Sequence, residues 1–553
     1  MNIICRIFPI MIFFTACQND GIKADLIIRN AVIWTGNDEN TEAQAMALSG
    51  DTIMALGTNA DMMQFSGANT EVIDLKGRFV IPGFIDSHVH LISGGRSLLS
   101  VDLRDAGTPE EFTGRIAAFA GKLQPNEWIF EGNWDHTLWG GALPQKGWID
   151  NFTSKNPVAV FRLDGHMVLA NSLALAIAGI DKNTPDVSGG TIVRDKLGNP
   201  TGILKDNAIN LLTDKIPPMS EKQRLNCFQN AINYFLSNGV TTVHDVDGFN
   251  KDFESYSTAL HLRNAGELKV RIYSAMPLNE WDRLVKMKRD DDKWLKTGCL
   301  KGFMDGSLGS HTAAFQDVYS DKKDDKGLFL NTEDDLYKWI SASDRAGLQV
   351  FVHAIGDLAI HTLLNIYERV TLENGGRDRR FRIEHTQHLL PSDIKRFAKL
   401  KVIASMQPYH CIDDGRWAEE YIGAQRIKTT YAFKSLIEDN AVLSFGSDWS
   451  VAPASPVMGI YAAVTRSTLD GKNPNGWVPE QKISVREALK AYTKNAAYAS
   501  FDENIKGTLE TGKLADFVVL NENIFKTEPS QIKNIKVLQT FVGGKMVYEN
   551  MDK

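Results

Sequence analysis

Val80-Ile81-Pro82-Gly83-Phe84-Ile85-Asp86-Ser87-His88-Val89-His90 is the stretch on which the reading of this chain turns. An apolar run ends in two histidines one residue apart. Side chains of a strand alternate between faces, so His88 and His90 share one face and Val89 takes the other. Two imidazoles on one face at a strand's carboxyl end can grip a divalent cation, because neutral histidine nitrogen suits zinc and its neighbours. Pro82 and Gly83 mark a sharp start to that strand after a preceding unit. The plain alternative is a pair of surface histidines on an edge strand, and the rest of the chain decides between the two.

Outward from this stretch the pattern alternates. Apolar, strand-like runs occur at Phe79–His90, Val240–Asp245, Val270–Met276, Cys299–Asp305, Gln349–His353, Arg380–His385, Val402–Gln407 and Ala441–Asp448. Amphipathic stretches such as Gln223–Asn238, Glu333–Ala346 and Ile360–Leu372 lie between them. About eight strands alternating with helices predict an α/β chain, a (β/α)8 TIM-type barrel with its chemistry at the strand carboxyl ends. Two further strands end in histidine, at His353 and His385, and the last closes on Gly446-Ser447-Asp448-Trp449. A lone histidine in such a place is usually structural. Four converging on one barrel mouth make a metal site. Asp448 then stands as general base beside the metal, its alternative being a helix cap.

Both ends of the chain differ from the middle. Short strands and hairpins fill Ala24–Gly57, and the same character returns from Gly507 to Tyr548. Residues 22–81 and 507–550 are therefore expected to build one small β domain around a barrel at 82–506. The interval 104–206 is too long for a simple return from the first strand. It holds strand-like segments at Trp128–Asp135, Val158–Arg162 and Gly189–Asp195, and reads as a subdomain inserted over the barrel mouth.

Pro82-Gly83-Phe84-Ile85-Asp86-Ser87-His88-Val89-His90 resembles the first barrel strand of the amidohydrolase superfamily. The resemblance covers nearly the whole chain after the leader. The later motifs are similar to the YtcJ-like branch, which includes N-substituted formamide deformylases. The resemblance implies a composite β-sandwich from both termini. It implies divalent metal, one or two zinc ions, on His88, His90, His353, His385 and Asp448. Lys301, in Leu300-Lys301-Gly302-Phe303-Met304-Asp305-Gly306, resembles a fourth-strand lysine that relatives carboxylate to bridge two metals; the alternative is a paired or solvated lysine. Trp134-Asp135, Asp164-Gly165-His166 and Asn171-Ser172 resemble the branch's substrate-side motifs, with Gln407 and His311 as further substrate contacts. At His311 the chain departs from the arginine common in the family. Gly306–Ser310 is expected to form a flexible loop over the pocket.

The reaction implied is hydrolysis of a linear, non-peptide C–N bond in a small amide such as an N-acyl or N-formyl amine. Metal-activated water attacks the carbonyl, and Asp448 takes the proton and returns it to the leaving nitrogen. A ring aminohydrolase of this superfamily carries Glu three residues after the fifth-strand histidine, where this chain has Gly356. A non-catalytic, ligand-binding lipoprotein is the third reading, and it has no use for a general base.

The chain has 553 residues, 43% hydrophobic and 23% charged, which is ordinary for a large globular protein of more than one domain. A net charge of −7 does not suggest nucleic acid or an acidic membrane surface as a partner. A homo-oligomer is compatible with it. Arg6, the apolar Ile7–Phe14 and Phe14-Thr15-Ala16-Cys17 resemble a bacterial lipoprotein leader, 1–16, with Cys17 lipidated. That predicts an exported lipoprotein, periplasmic or anchored at the cell envelope, touching membrane only through Cys17. The alternative is a plain signal peptide. Cys227, Cys299 and Cys411 are scattered, form no Cys-x-x-Cys, and are expected to be buried free thiols.

Overall fold

The computed structural model describes residues 22–247, 253–289 and 291–551. Its centre is an eight-stranded parallel sheet whose hydrogen-bonded order follows the chain, starting at Phe84–Val89. Val240–Asp245, Arg271–Pro277 and Leu295–Phe303 come next, then Gln349–Ala354, Arg382–His385, Ile403–Met406 and Leu443–Phe445. The ring closes just beyond the last strand. The Asp448 amide donates to the His88 carbonyl and the His90 amide donates to the Trp449 carbonyl, both at 2.8 Å. Backbone pairing alone therefore carries the Asp448 segment alongside His88 and His90. All eight expected strands form, with ends shifted by a few residues.

The run Phe79–His90 is not one strand, as the apolar pattern suggested. Phe79–Pro82 pairs into a six-stranded sheet with Phe517–Leu520 and Val32–Trp34, whereas Phe84–Val89 enters the barrel. Gly83 is the joint. A Cβ there would sit 2.3 Å from the Thr241 hydroxyl, so the chain passes only without a side chain. Strands from both termini share this sheet, and a four-stranded sheet faces it. Met46, Leu48 and Ile53 of the one pack with Val80, Phe517 and Phe541 of the other.

Between the first and second barrel strands lies a five-stranded sheet of Gly190–Arg194, Pro200–Asp206, Met167–Ala170, Val158–Arg162 and Ile129–Trp134, in that order. Met167–Ala170 and Pro200–Asp206 were not expected. Alternation along Val158–Arg162 sends Val158 and Val160 to one apolar cluster and Ala159 to the other, so both faces are covered.

The barrel interior is polar beneath the mouth, although such interiors are ordinarily filled with branched apolar side chains. Arg382 is fully buried and stacks on Phe351 at 3.8 Å. It donates to Glu384, to the Ser87 carbonyl, to Ser405 and to His244 Nδ1. Cys227, Cys299 and Cys411 are buried free thiols. Among the described residues no helix is long and apolar enough to cross a membrane. Residues 1–21, with the expected leader and Cys17, lie outside the described residues.

Candidate metal and catalytic centre

The strand ends bring His88, His90, His353, His385, Lys301 and Asp448 to one cavity at the barrel mouth, of about 1060 Å³. Ring centroids of His88 and His385 are 4.9 Å apart, and those of His353 and His385 4.4 Å. Asp448 Oδ1 lies 3.2 Å from His90 Nε2 and 3.5 Å from His88 Nε2. Asp448 and His385 both sit at positive φ, 58° and 73°, which non-glycine residues rarely adopt and which is often held at functional sites.

The outer hydrogen bonds fix which nitrogen each ring presents. His88 Nδ1 faces the Glu384 carboxylate, His385 Nδ1 faces Gln407 Oε1 at 2.9 Å, and His353 Nε2 faces the Gly306 carbonyl at 3.0 Å. Each partner oxygen only accepts, so the proton is on the ring nitrogen opposite it. The lone pairs left are His88 Nε2, His385 Nε2 and His353 Nδ1. His88 Nε2 is buried without any hydrogen-bond partner and points a lone pair at a carboxylate oxygen 3.5 Å away. Two acceptors facing one another in a buried site call for a cation between them. Two histidine nitrogens and one carboxylate oxygen, with room for a further ligand, are a donor set that suits a divalent cation.

The electrostatics agree. Burial pushes the His90 imidazole down, but Asp247 and Asp448 outweigh it and raise it to about 9. Carboxylates that draw a proton so strongly also draw a metal. Burial raises the Asp448 carboxyl, yet His88, His90 and His385 hold it well below the usual range. Burial lowers His88 to about 4, and takes His353 and His385 well below the ordinary value. Lys301 is buried with its Nζ 4.2 Å from the Phe303 ring, and burial lowers its ammonium to about 8.

The matching family model is described as "Amidohydrolase family" and covers residues 71–548. This chain belongs to the amidohydrolase family. It is 40% identical to the Arabidopsis thaliana protein LONG AFTER FAR-RED 3, over 96% of this chain and 92% of that one. It is 30% identical to the putative amidohydrolase YtcJ of Bacillus subtilis, over 94% and 98% of the two chains. N-substituted formamide deformylase of Arthrobacter pascens is 27% identical, over 95% and 98%. A solved structure of an uncharacterized metal-dependent hydrolase from Pyrococcus horikoshii has a TM-score of 0.75 at 26% identity, covering 91% of this chain and 99% of that one.

Of the substrate-side residues expected of this amidohydrolase, Asp164 and His166 line the cavity. Asp164 accepts from Arg162 and from Ser307, both at 2.6 Å. His166 is held by Asp206 at 2.7 Å, its ring 5.2 Å from that of His353. Four others are corrected. Trp134 is fully buried in the insertion core and donates to the Val160 carbonyl; its neighbours Asn133 and Asp135 line the cavity instead. Asn171 is buried and caps the helix Ser172–Ala178. His311 stacks on Tyr421 and pairs with Asp321, away from the cavity lining. Gln407 orients His385 rather than lining the cavity. Gly306–Ser310 is buried throughout, and bonds from Ser307 to Thr312 and Asp164 tie it down, so it is no flexible flap. The sequence reading missed Glu384, Asp247, Asp206 and Arg162. His410 also lines the cavity, and burial lowers its imidazole.

Proposed function

We propose that this amidohydrolase cleaves a linear, non-peptide C–N bond of a small amide, such as an N-acyl or N-formyl amine. The observation that carries the reading is His88 Nε2 and His90 Nε2 converging on Asp448 Oδ1 at the barrel mouth. His88, His90 and Asp448 would hold the metal, with His353 and His385 beside them and zinc the best match to the donors. A divalent ion there supplies Lewis acidity to the carbonyl and acidifies water. Asp448 takes the proton of the attacking water as the C–O bond forms. It returns that proton to the nitrogen as the C–N bond breaks, releasing amine and acid. Glu384 and Gln407 keep two of the rings in one tautomer through the cycle.

Gly356 favours this reading over a ring aminohydrolase. A Cβ at Gly356 would lie 2.1 Å from the Ala314 carbonyl, so no proton-donating side chain fits there. The relative named as a formamide deformylase supports the choice of bond. A carboxylated Lys301 would bridge a second ion, and its burial and lowered pKa make the neutral amine that reaction needs accessible. The leader and Cys17 support an exported, lipid-anchored protein. The test is turnover of simple N-formyl and N-acyl amines before and after chelation, with metal counted per chain. Activity lost on stripping and regained with Zn²⁺ is expected; turnover indifferent to chelation refutes the reading.

A further inference from the structure

We infer that His410 is a further catalytic residue, whose Nε2 hydrogen-bonds the carbonyl oxygen of the scissile amide as charge builds on it; this rests on the amide reading above. His410 lies in the first turn of the helix Pro408–Asp414, directly after the seventh barrel strand. Its backbone amide is turned back onto the Gln407 carbonyl at 3.1 Å, which seats the residue at the strand end. The side chain is 8% exposed and lines the cavity. Its Nε2 is buried and has no hydrogen-bond partner in the protein. Buried polar atoms in folded proteins are almost always partnered, so an orphan facing a cavity marks where a ligand atom belongs.

The position suits a reacting carbonyl. One ring nitrogen of His410, one of His385 and a carboxylate oxygen of Asp448 all lie within 4.8 Å of one another. A carbonyl whose carbon is attacked beside Asp448 therefore has its oxygen within reach of His410. A donor aimed at that oxygen acts most strongly on the tetrahedral oxyanion, where the charge has built up. A metal-ligand role fits less well. His88, His90 and Asp448 already give three protein atoms and an open position, and a fourth protein atom would fill it.

The test uses the metal-loaded protein and the variants His410→Ala and His410→Gln, each checked for folding by its melting transition. Metal per chain should equal wild type in both. With an amide the wild type turns over, His410→Ala should lower kcat and kcat/KM together, by about 10²–10³-fold as for loss of one oxyanion donor. His410→Gln should recover part of that, since its amide can still donate. Phenylphosphonate, a stable tetrahedral anion, should bind His410→Ala at least about tenfold more weakly than wild type. Metal loss in either variant makes His410 a ligand and overturns the inference. A raised KM with unchanged kcat, or unchanged phosphonate affinity, also overturns it. If the wild type hydrolyses no amide, the parent reading fails, and the phosphonate titration still decides the role of His410.

Discussion

Glu384→Gln is the substitution that most sharply probes how the centre is held. Glu384 is fully buried and accepts from His88 Nδ1, from Arg382 Nε at 2.8 Å and Nη2 at 3.1 Å, and from Ser405 at 2.8 Å. Burial raises its carboxyl, but the charge of Arg382 and the hydrogen bond from His88 bring it down to about 2, so it is ionised at neutral pH. Glutamine keeps the shape and removes the charge. One of its two terminal atoms becomes an NH2 facing donors on every side. Arg382 is then a buried cation with no counter-charge, which costs about 3–5 kcal/mol. His88 also loses the acceptor that fixes its tautomer, and loss of such an outer partner typically lowers metal affinity about 10–100-fold. The assays are zinc affinity by competition with a chromogenic chelator and stability by urea denaturation. Wild-type zinc affinity in Glu384→Gln would refute the claim that Glu384 sets the His88 lone pair. A wild-type urea midpoint would refute the pairing of Glu384 with Arg382.

Other outcomes are expected elsewhere in the molecule. If Lys301 is a carboxylated bridge, Lys301→Ala lowers metal toward half the wild-type content, and short carboxylic acids partly restore metal and rate; normal metal and normal rate make Lys301 structural. Asp502 is buried against Lys296 at 2.9 Å and Lys506 at 3.0 Å; burial opposes these charges, yet they lower its carboxyl from 3.8 to about 2. A depressed carboxylate contributes stability above its unfolded value that disappears as pH falls through the folded one, here about 2 kcal/mol lost between about pH 4 and pH 2. Asp502→Asn should thus be less stable than wild type at pH 7 by that amount in urea denaturation, and an equal midpoint there would contradict it. Cys17→Ser should release the protein from membranes in fractionated cells, and unchanged membrane association would sink the lipidation reading.

The parts legible in the sequence are those with a short-range signature. His-x-His after an apolar run, and single histidines ending later strands, were readable because strand periodicity places them on one face. The barrel was readable because strand and helix alternate throughout. The centre's supports were not, because their partners are remote: 296 residues separate His88 from Glu384, and 40 separate His166 from Asp206. Arg382 and Glu384 were visible as alternating residues on one strand, yet nothing local says that face looks into the barrel. Trp134 and Asp135 show the reverse failure. A motif was read as a unit, but the period of two buries Trp134 in the insertion core while Asn133 and Asp135 reach the cavity. His410 follows a strand end like the other histidines and was readable as a reserve general base behind Asp448; its place on a helical turn kept it out of the strand-end set.

The central claim is that Asp448 moves a proton in a metal-dependent cleavage, and Asp448→Asn tests it most directly. The measurement is steady-state kinetics on an N-formyl or N-acyl amine that the wild type turns over, with metal quantified in the same preparation. General acid–base catalysis contributes about 10²–10⁴-fold, so at least that loss is expected. It should fall equally on kcat and kcat/KM, because the proton transfer belongs to the transition state. Full metal content together with near-normal kcat in Asp448→Asn would contradict the account.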